Sequence, residues 1–364
     1  MAGSEDPVEA ISQRLDNFVT DQRALTADLG AEARLLIDSA AAAVAGGKRL
    51  RGRFCLAGWR AVAEATHPAF TAPDAVVTAA ASLEVFHAAA LVHDDVIDNS
   101  DTRRGRPAAH RALEGAHGDA GWVGDAAAFG RSAAILLGDL LVAWSDDLLE
   151  EGLAATTPQR AAAARTEYAA MRREVTIGQF LDIAEESAFR TEPDERHAAR
   201  ALRVASLKSA RYSVQQPLAI GGALAGADPV QSAALAAFGH PLGMAFQLRD
   251  DVLGVFGDER ETGKPSGGDL REGKRTVLVA YAREGLAPPA RRIMDELIGD
   301  PELDDGQIAS LQRTIVETGA LDRVEALIAD YAREADRSLS GARLGNAAVG
   351  ELRDLARSAT VRVT

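Results

Sequence analysis

The chain has 364 residues, a formal net charge of −14 and 47% hydrophobic residues, a balance typical of a globular protein with a large core. This composition excludes disordered and fibrous proteins, and a single cysteine, Cys55, excludes a disulfide scaffold or a cysteine-ligated zinc cluster. The negative charge argues against nucleic acid as a partner, because binding to phosphate backbones needs an excess of Lys and Arg. Frequent alanine and only 5% aromatic residues favour close-packed helices over sheets.

Apolar residues recur at three- and four-residue spacing along most of the chain, which predicts a series of long α-helices. The predicted helices cover residues 32–45, 74–98, 126–155, 160–186, 194–222 and 228–256. Strand signals are almost absent, and no linker of the domain-boundary type separates the helices. We therefore predict an all-α fold, with a single domain of long antiparallel helices over residues 11–364 and a loose tail over residues 1–10.

We expect no signal peptide and no membrane-spanning segment in this chain. The N-terminal residues are acidic and lack the apolar stretch of a signal peptide, and no uninterrupted apolar run reaches the about 18 residues of a membrane span. Together with the single cysteine, these features predict a cytoplasmic protein without a transmembrane segment.

The clearest chemical feature is the sequence HDDVID over residues 93–98, at the end of a long apolar helix. Positions i, i+1 and i+4 of a helix fall within one arc of about 100°, so Asp94, Asp95 and Asp98 project together. Three carboxylates that close repel one another unless a cation binds them. Oxygen ligands suit Mg²⁺, which takes its remaining ligands from water and substrate phosphates.

A second acidic pair, Asp250 and Asp251, closes the apolar helix predicted over residues 228–256. Acidic residues at a helix C-terminus oppose the helix dipole, so local stability does not explain their position. We expect the two acidic motifs to face each other across the helical bundle and to share several metal ions.

Basic residues accompany both acidic motifs and are the usual ligands of phosphate groups. They are Lys48 and Arg51 after a Gly-Gly pair, Arg103 and Arg104 after the first motif, Lys208 within an apolar helix, and Lys264 and Lys274 in the Gly-rich segment after the second motif. A metal-bridged diphosphate held by a cationic clamp is the simplest interpretation of this pattern.

In chain order the motifs are GKRLR over residues 47–51, HDDVID over 93–98, RRG over 103–105, KS at 208–209, FQLRDD over 246–251, and GK at 263–264 and 273–274. Their order and spacing resemble the trans-isoprenyl diphosphate synthases (polyprenyl synthetases) over about residues 35–280. GQFLD over residues 178–182 also fits this family. The resemblance implies an all-α fold of the isoprenoid synthase type, with long helices around a deep hydrophobic cavity, and a homodimer.

The same resemblance implies a prenyltransferase of isoprenoid biosynthesis. Such an enzyme condenses isopentenyl diphosphate head-to-tail with an allylic diphosphate (dimethylallyl, geranyl or farnesyl) and releases pyrophosphate. It implies about three bound Mg²⁺ ions, which Mn²⁺ could replace. The steps are ionisation of the allylic diphosphate, condensation and proton loss, and the product is an all-trans polyprenyl diphosphate.

The family roles carry over to matching positions of this sequence. By resemblance, Asp94, Asp95 and Asp98 bind Mg²⁺ on the allylic diphosphate, and Asp250 and Asp251 hold a further Mg²⁺. The same diphosphate is gripped by Arg103, Lys208 and Lys264, and isopentenyl diphosphate is held by Lys48, Arg51, His87 and Arg104. Lys274 is a further substrate-binding candidate, and the catalytic candidates are Lys208, Ser209, Gln247 and Lys264.

Two positions depart from the family pattern. The second motif of the family often has a third Asp, where this chain has Gly254, and the Lys-Thr pair of the family is Lys208-Ser209 here. The hydroxyl is retained at Ser209. We expect an active enzyme in which the affinity for metal is reduced by the missing carboxylate.

Product length is argued from the helix that carries the first acidic motif, along which the growing chain is expected to descend from Asp94. Ala89 and Ala90 lie one turn below the motif, where bulky aromatic residues would stop the chain at C15. Phe86 lies one turn deeper and is a candidate floor, meaning a side chain that closes the bottom of the cavity and limits the length of the product. Trp144 is another candidate floor. These residues predict a product of C20 to C25, beginning with geranylgeranyl diphosphate.

Two other functions are considered as alternatives to a prenyl diphosphate synthase. A class I terpene cyclase shares the acidic ionisation chemistry but lacks the Lys48 and Arg51 site. Its second motif has Ser or Thr near position 254 and Glu near 258, where Gly254 and Asp258 stand. A non-catalytic subunit of a heteromeric prenyl synthase is the second alternative, and the intact acidic and basic motifs argue against it.

Overall fold

The computed structural model describes residues 6–65, 72–257, 266–300 and 302–360. The chain separates into two compact units. Unit 1 comprises the described residues of Met1–Ala164 together with Gly221–Gly226, and unit 2 comprises those of Arg165–Ile220 and Ala227–Thr364. The predicted all-α fold is confirmed, since the described residues contain only two strands, each of two residues. One domain over residues 11–364 stays a prediction.

The first part of the chain contains six helices within its described residues. They are α1 (Pro7–Leu25), α2 (Ala31–Val44), α3 (Leu50–Ala63), α4 (Asp74–Ile97), α5 (Ala109–Asp119) and α6 (Ala126–Ala154), with strands β1 (Thr102–Arg103) and β2 (Arg106–Pro107) between α4 and α5 and a 3₁₀ turn at Ala27–Leu29. Of these helices, α2, α4 and α6 lie close to their predicted positions, and α1, α3 and α5 were not predicted. Residues 7–10 are helical rather than part of a loose tail. The cause is a strong local helix start, in which the Asp6 side chain accepts a hydrogen bond from the Val8 N–H and Pro7 occupies the first turn.

The second part of the chain is helical throughout its described residues apart from short connections. Its elements are α7 (Pro158–Ala188), α8 (His197–Val204), a π-helical segment (Ala205–Gln215), α9 (Gln216–Ala225), α10 (Pro229–Phe256), α11 (Gly268–Arg271), α12 (Val277–Glu284), α13 (Pro288–Leu297), α14 (Asp305–Glu317), α15 (Ala320–Ser338) and α16 (Asn346–Thr360), with 3₁₀ turns at Phe189–Thr191 and Asp194–Arg196. The long helix predicted over residues 194–222 is therefore divided into α8, the π-helical segment and α9.

Within unit 1, α4 and α6 pack against each other in antiparallel orientation through two glycines. A Cβ atom at Gly152 would lie 2.6 Å from the carbonyl oxygen of Ala75 at the start of α4. At the other end of the pair, a Cβ at Gly138 would overlap the ring of His93. Because both positions lack a side chain, the two backbones approach closely along the helix that ends in the first acidic motif.

Within unit 2, the π-helical segment lies against glycines of two neighbouring helices. A side chain at Gly178 of α7 would overlap the backbone of Lys208, and a side chain at Gly243 of α10 would overlap that of Ala210. A Cβ at Gly239 would lie 2.7 Å from the Cα of Gln215. Wide π turns are frequent at functional sites, and this one carries Lys208 and Ser209.

Two helices are long and apolar enough to cross a membrane by length and composition alone, α4 and α6. The apolar window of α4 is 72% buried within the protein, as in the core helix of a soluble protein, whereas that of α6 is 28% buried. The apolar surface of α6 therefore faces outward along much of its length.

Candidate active site

A tight hairpin after α4 returns the chain onto the first acidic motif. Strands β1 and β2 pair antiparallel, with Arg103 opposite Arg106. The two loop residues, Arg104 and Gly105, have φ values of 53° and 72°, as in a type I′ turn. This turn places the Arg103 guanidinium on the buried carboxylate of Asp95, to which Arg103 Nε donates at 2.9 Å. Arg103, which is predicted to bind the allylic diphosphate, thus forms an ion pair with Asp95, which is predicted to bind the metal ion.

The three aspartates of the first motif lie at the C-terminal end of α4. Asp98 is the C-cap residue, and its N–H donates to the carbonyl oxygen of Asp94 at 2.8 Å. Asp94 and Asp98 are not fully buried, whereas Asp95 is buried. The helix end therefore presents oxygen donors to solvent with one buried ion pair behind them.

The basic loop before α3 is shaped by residues in the left-handed region. Gly46, Gly47 and Arg49 have φ values of 67°, 92° and 51°. A Cβ at Gly47 would lie 3.1 Å from an Arg104 guanidinium nitrogen, so the absence of a side chain there admits Arg104 to this loop. Arg49 is buried and donates to the Val44 carbonyl at 2.8 Å, while the predicted ligand Lys48 is exposed.

His87 lies on α4 within the field of these arginines. Burial lowers the pKa of His87 well below its usual value, and the positive charges of Arg51, Arg104, Arg103 and Arg49 lower it further. The imidazole is therefore neutral at pH 7. The structure brings His87, Arg51 and Arg104 into one electropositive cluster, as expected for an anion site.

We expect the free energy of unfolding to decrease as the pH decreases, partly because of His87. The unfolded chain binds a proton near pH 6.5 and the folded His87 does not, so the free energy of unfolding decreases below that pH. In urea titrations between pH 7.5 and 5, the wild type should lose up to about 1.4 kcal/mol per pH unit relative to a His87→Gln variant. Parallel stability curves for the two proteins would contradict this assignment.

In unit 2, Lys208, which is predicted to bind the allylic diphosphate, forms an ion pair with Asp182, a residue to which the sequence analysis gave no role. Lys208 Nζ donates to Asp182 Oδ2 at 2.6 Å. Asp182 stands one helical turn after Gly178 on α7, so both face the π-helical segment. The neighbouring Ser209 is half-buried. In the sequence, the signal that could have pointed to Asp182 was the motif GQFLD over residues 178–182, which fits the family.

The second acidic motif ends near the C-terminus of α10. Gln247 Nε2 donates to Asp251 Oδ1 at 2.6 Å, while Asp250 is exposed. Burial raises the pKa of Asp251 well above its usual value, and the charge of Asp269 raises it further, opposed by the Gln247 hydrogen bond. A cation at this carboxylate would favour its ionised form.

Lys274, predicted to bind substrate, contacts two acidic side chains in this structure. Its Nζ lies 2.5 Å from Glu272 Oε2 and 3.6 Å from Asp269 Oδ1. Lys264, predicted to bind the allylic diphosphate, lies outside the described residues.

The residues proposed to set product length belong to unit 1. Phe86 and Ala89 of α4 are buried and Ala90 is half-buried. Trp144 of α6 is also buried and packs edge-on against Phe18, with ring centroids 5.5 Å apart and an interplanar angle of 84°. The two candidate floors, Phe86 and the Trp144–Phe18 pair, are therefore both parts of a packed core.

The chemistry of the acidic side chains fits a divalent cation. Among the described residues, no three or more His, Cys, Asp or Glu side chains form a ready-made ligand set. Mg²⁺ is typically held by one or two carboxylates and completes its shell with water and substrate phosphate oxygens. Asp94, Asp95 and Asp98 in unit 1 and Asp250 and Asp251 in unit 2 offer the oxygen donors that this ion prefers.

The long helices and their acidic ends are features of the all-α isoprenoid synthases, and a solved structure of such an enzyme superposes on this chain with a TM-score of 0.91. The sequence matches the profile of the polyprenyl synthetase family over residues 34–315, and the chain belongs to this family. The protein is thus a prenyltransferase, and the resemblance drawn from its motifs is confirmed.

Known proteins similar to this chain agree with that assignment. Geranylfarnesyl diphosphate synthase of Aeropyrum pernix is 31% identical over 90% of this chain and 92% of its own length. The structure of geranylgeranyl pyrophosphate synthase from Corynebacterium glutamicum, complexed with isoprenyl diphosphate and magnesium, is 37% identical with a TM-score of 0.91, covering 98% of both chains. Polyprenyl synthase from Caulobacter crescentus, complexed with calcium and isoprenyl diphosphate, is 29% identical with a TM-score of 0.75, covering 100% of this chain and 99% of its own.

Proposed function

We propose that this enzyme condenses isopentenyl diphosphate with an allylic diphosphate, in the presence of Mg²⁺, to give an all-trans polyprenyl diphosphate of C20 to C25. The observation that carries the proposal is found in unit 1. The helix that ends in Asp94, Asp95 and Asp98 also carries His87, which lies in the field of Arg51 and Arg104. Carboxylates for a metal-bound diphosphate and a separate cationic cluster for a second diphosphate suit a reaction of two diphosphates.

In this proposal the basic side chains bind and orient the two substrates. Arg104, Arg51, Lys48 and neutral His87 hold isopentenyl diphosphate, with His87 as a hydrogen-bond donor. Arg103, Lys208 and Lys264 bind the allylic diphosphate. Bound Mg²⁺ supplies neutralisation of the charge that develops on the departing pyrophosphate.

The carbon chemistry requires no nucleophilic side chain. The C–O bond of the allylic diphosphate breaks, and its electron pair leaves with pyrophosphate. The alkene of isopentenyl diphosphate then forms the new C–C bond with the allylic cation, and the resulting cation loses a proton to pyrophosphate. Gln247 and Ser209 line the reacting centre, and apolar helices exclude the water that would capture the cation.

The test of the proposal is product analysis with each allylic primer from C5 to C20, with and without isopentenyl diphosphate. Elongated linear diphosphates that form only when isopentenyl diphosphate is present would support it. A cyclic hydrocarbon formed from the allylic diphosphate alone would instead indicate a terpene cyclase. No turnover by the purified protein would indicate a non-catalytic subunit of a heteromeric synthase.

Replacing Phe86 with alanine should lengthen the product by at least one C5 unit. The substitution removes a buried ring two turns below Asp94, where the chain is expected to descend. Products from farnesyl and isopentenyl diphosphates, resolved by mass spectrometry, provide the measurement. Ile293→Ala on α13 is the control, because this apolar side chain is 60% exposed, and it should leave the product length unchanged. An unchanged length in the Phe86 variant would remove Phe86 as the floor.

We also propose that the enzyme is a homodimer and that α6 contributes to the interface. Ile135 and Leu136 are 48% and 61% exposed, although both are large apolar side chains. With Ser132, Asp139 and Ala143 they form one exposed face of α6 at helical spacing. A second copy of the chain is the occupant that buries such a face most simply.

A Leu136→Asp substitution should therefore yield a monomer in sedimentation-velocity experiments in which the wild type sediments as a dimer. The new charge would be buried in the interface, where it has no partner. Asp330→Asn on α15 is a suitable control, because Asp330 is exposed and pairs only locally with Arg333 among the described contacts. A dimer that persists in the Leu136 variant would contradict the proposed interface.

The same proposal places the enzyme in the cytoplasm. Cys55 supports it, since this cysteine is free and buried, and burial raises the pKa of its thiol to about 12. A protein in a reducing compartment has no need of disulfides.

A further inference from the structure

The π-helical segment that carries Lys208 is bonded to two different helices. Lys208 itself donates to Asp182 of α7 at 2.6 Å. Two residues before Lys208, Ser206 is hydrogen-bonded to His240 of α10, with 2.8 Å between Ser206 Oγ and His240 Nε2. The segment is therefore tied to α7 by an ion pair and to α10 by a bond between a hydroxyl and an imidazole.

The length of the π-helical segment makes its conformation dependent on such contacts. It comprises 11 residues, whereas π-helical hydrogen bonding is rare and is mostly confined to a single turn within an α-helix. A change from i→i+5 to i→i+4 hydrogen bonding would rotate the side chains that follow Ser206 about the helix axis. Lys208 would then lose its alignment with Asp182. Contacts that preserve the wide turn therefore also direct the ammonium group of Lys208.

The face of α10 against this segment places His240 between two positions that lack side chains. A Cβ atom at Gly239 would lie 2.7 Å from the Cα of Gln215, and one at Gly243 would lie 2.3 Å from the carbonyl oxygen of Ala210. The backbones of α10 and the segment are thus in close contact on both sides of His240. This close packing holds the imidazole at a fixed distance from the segment.

The imidazole of His240 is neutral at pH 7. Burial lowers the pKa of His240 below its usual value, and the positive charge of Arg211 lowers it further, opposed by the charge of Glu334. A neutral imidazole offers one donor and one acceptor nitrogen, and a serine hydroxyl can bond to either. The bond to Ser206 is therefore formed between two uncharged groups.

We propose that His240 is a positioning residue for the reaction. Through its hydrogen bond to Ser206, it holds the π-helical segment in the conformation that directs Lys208 to the allylic diphosphate. This inference rests on the proposed function, in which Lys208 binds that diphosphate. In this role His240 acts on the substrate only through the segment and without contacting it.

The inference is tested by binding of inorganic pyrophosphate with Mg²⁺ to the full chain, measured by isothermal titration calorimetry, so that no turnover is required. The variants are His240→Ala, His240→Gln, Ser206→Ala, Lys208→Met, and Lys208→Met combined with His240→Ala. His240 lines an open groove with Glu334 and Arg337 of α15, so a smaller side chain there enlarges the groove and leaves no closed cavity. The control is Ser232→Ala, which removes an exposed hydroxyl from the same helix.

We expect His240→Ala and Ser206→Ala each to weaken pyrophosphate binding by about tenfold, as for the loss of one hydrogen bond to a charged group. The amide of His240→Gln can still bond to Ser206, so this variant should stay within about threefold of wild type, and the control within about twofold. In the Lys208→Met protein, His240→Ala should weaken binding by less than about a further twofold, because residues that act through one contact are not additive.

Wild-type affinity in both His240→Ala and Ser206→Ala would overturn the inference. So would equal losses in His240→Ala and His240→Gln, or a full tenfold loss when His240→Ala is added to Lys208→Met, because a general structural role of the ring predicts both results. Ser206→Ala removes the same hydrogen bond by the loss of one oxygen atom, and circular dichroism confirms that each variant compared is folded.

The Lys208→Met variant separates this inference from the proposed function. Weaker binding in Lys208→Met with unchanged binding in His240→Ala overturns the role of His240 alone. Wild-type affinity in Lys208→Met overturns both, because Lys208 would then have no part in binding a diphosphate. Product formation by the wild type is assayed in the same series. An inactive wild type overturns the proposed function, while the binding comparison still decides whether His240 positions Lys208.

Discussion

Replacing Asp95 with asparagine should lower kcat/KM for chain elongation by about 10³-fold, the loss of an essential electrostatic group. Asp95 is buried at the end of α4 and accepts hydrogen bonds from Arg103. The substitution removes a proposed metal ligand and the negative charge with which the guanidinium of Arg103 pairs at this position. Steady-state kinetics with isopentenyl and farnesyl diphosphates provide the measurement.

Asp101→Asn is the matched control for this prediction. Asp101 lies six residues further along the chain, is mostly exposed, and pairs with Arg111 at 2.7 Å. Exposed ion pairs contribute little to stability, so this variant should keep kcat/KM within about twofold of wild type. A loss of less than about tenfold in Asp95→Asn would contradict the role assigned to this carboxylate.

Replacing Gly178 with alanine should lower kcat by about 10²-fold, because small displacements of a positioning group are costly. The new Cβ would overlap the backbone of Lys208, so the π-helical segment must move away from α7. That movement separates Lys208 from Asp182, to which its ammonium group donates at 2.6 Å. Overpacking of this kind also lowers the free energy of unfolding, by about 1–3 kcal/mol.

Gly350→Ala makes the same chemical change where there is room for it. A Cβ at Gly350, on α16, would have no atom within 4 Å. Alanine should therefore stabilise this helix by about 0.5–1 kcal/mol and leave kcat unchanged. Thermal unfolding and product assays on both variants check the pair of predictions. A Gly178→Ala enzyme with wild-type kcat would contradict the proposed positioning of Lys208 by close packing.

The longest helices were predictable because their apolar periodicity is long and uninterrupted, whereas α1, α3, α5 and the helices after residue 256 were not predicted. The interval predicted over residues 126–155 is α6 over Ala126–Ala154, and that over 228–256 is α10 over Pro229–Phe256. The region 194–222 was predicted as one helix but contains a π-helical segment. Periodicity does not reveal such a segment, because its packing against Gly178 and Gly243 depends on residues distant in sequence.

The charged motifs were predictable from their type and order, but their partners were not. Asp94, Asp95 and Asp98 share one helix end, as helical spacing requires. The ion pair of Arg103 with Asp95 depends on a type I′ turn, and the pair of Lys208 with Asp182 depends on two elements meeting in space. The position of the Asp269 carboxylate against Gly254 could not be predicted from spacing either, since it depends on the burial of Leu270 against α10.

The most direct test of the account is the product formed from farnesyl and isopentenyl diphosphates with Mg²⁺, identified by mass spectrometry. We expect linear geranylgeranyl diphosphate, extended in part to C25, and no elongation when isopentenyl diphosphate is omitted. A cyclic hydrocarbon from farnesyl diphosphate alone, or no product longer than C15, would contradict the proposed function.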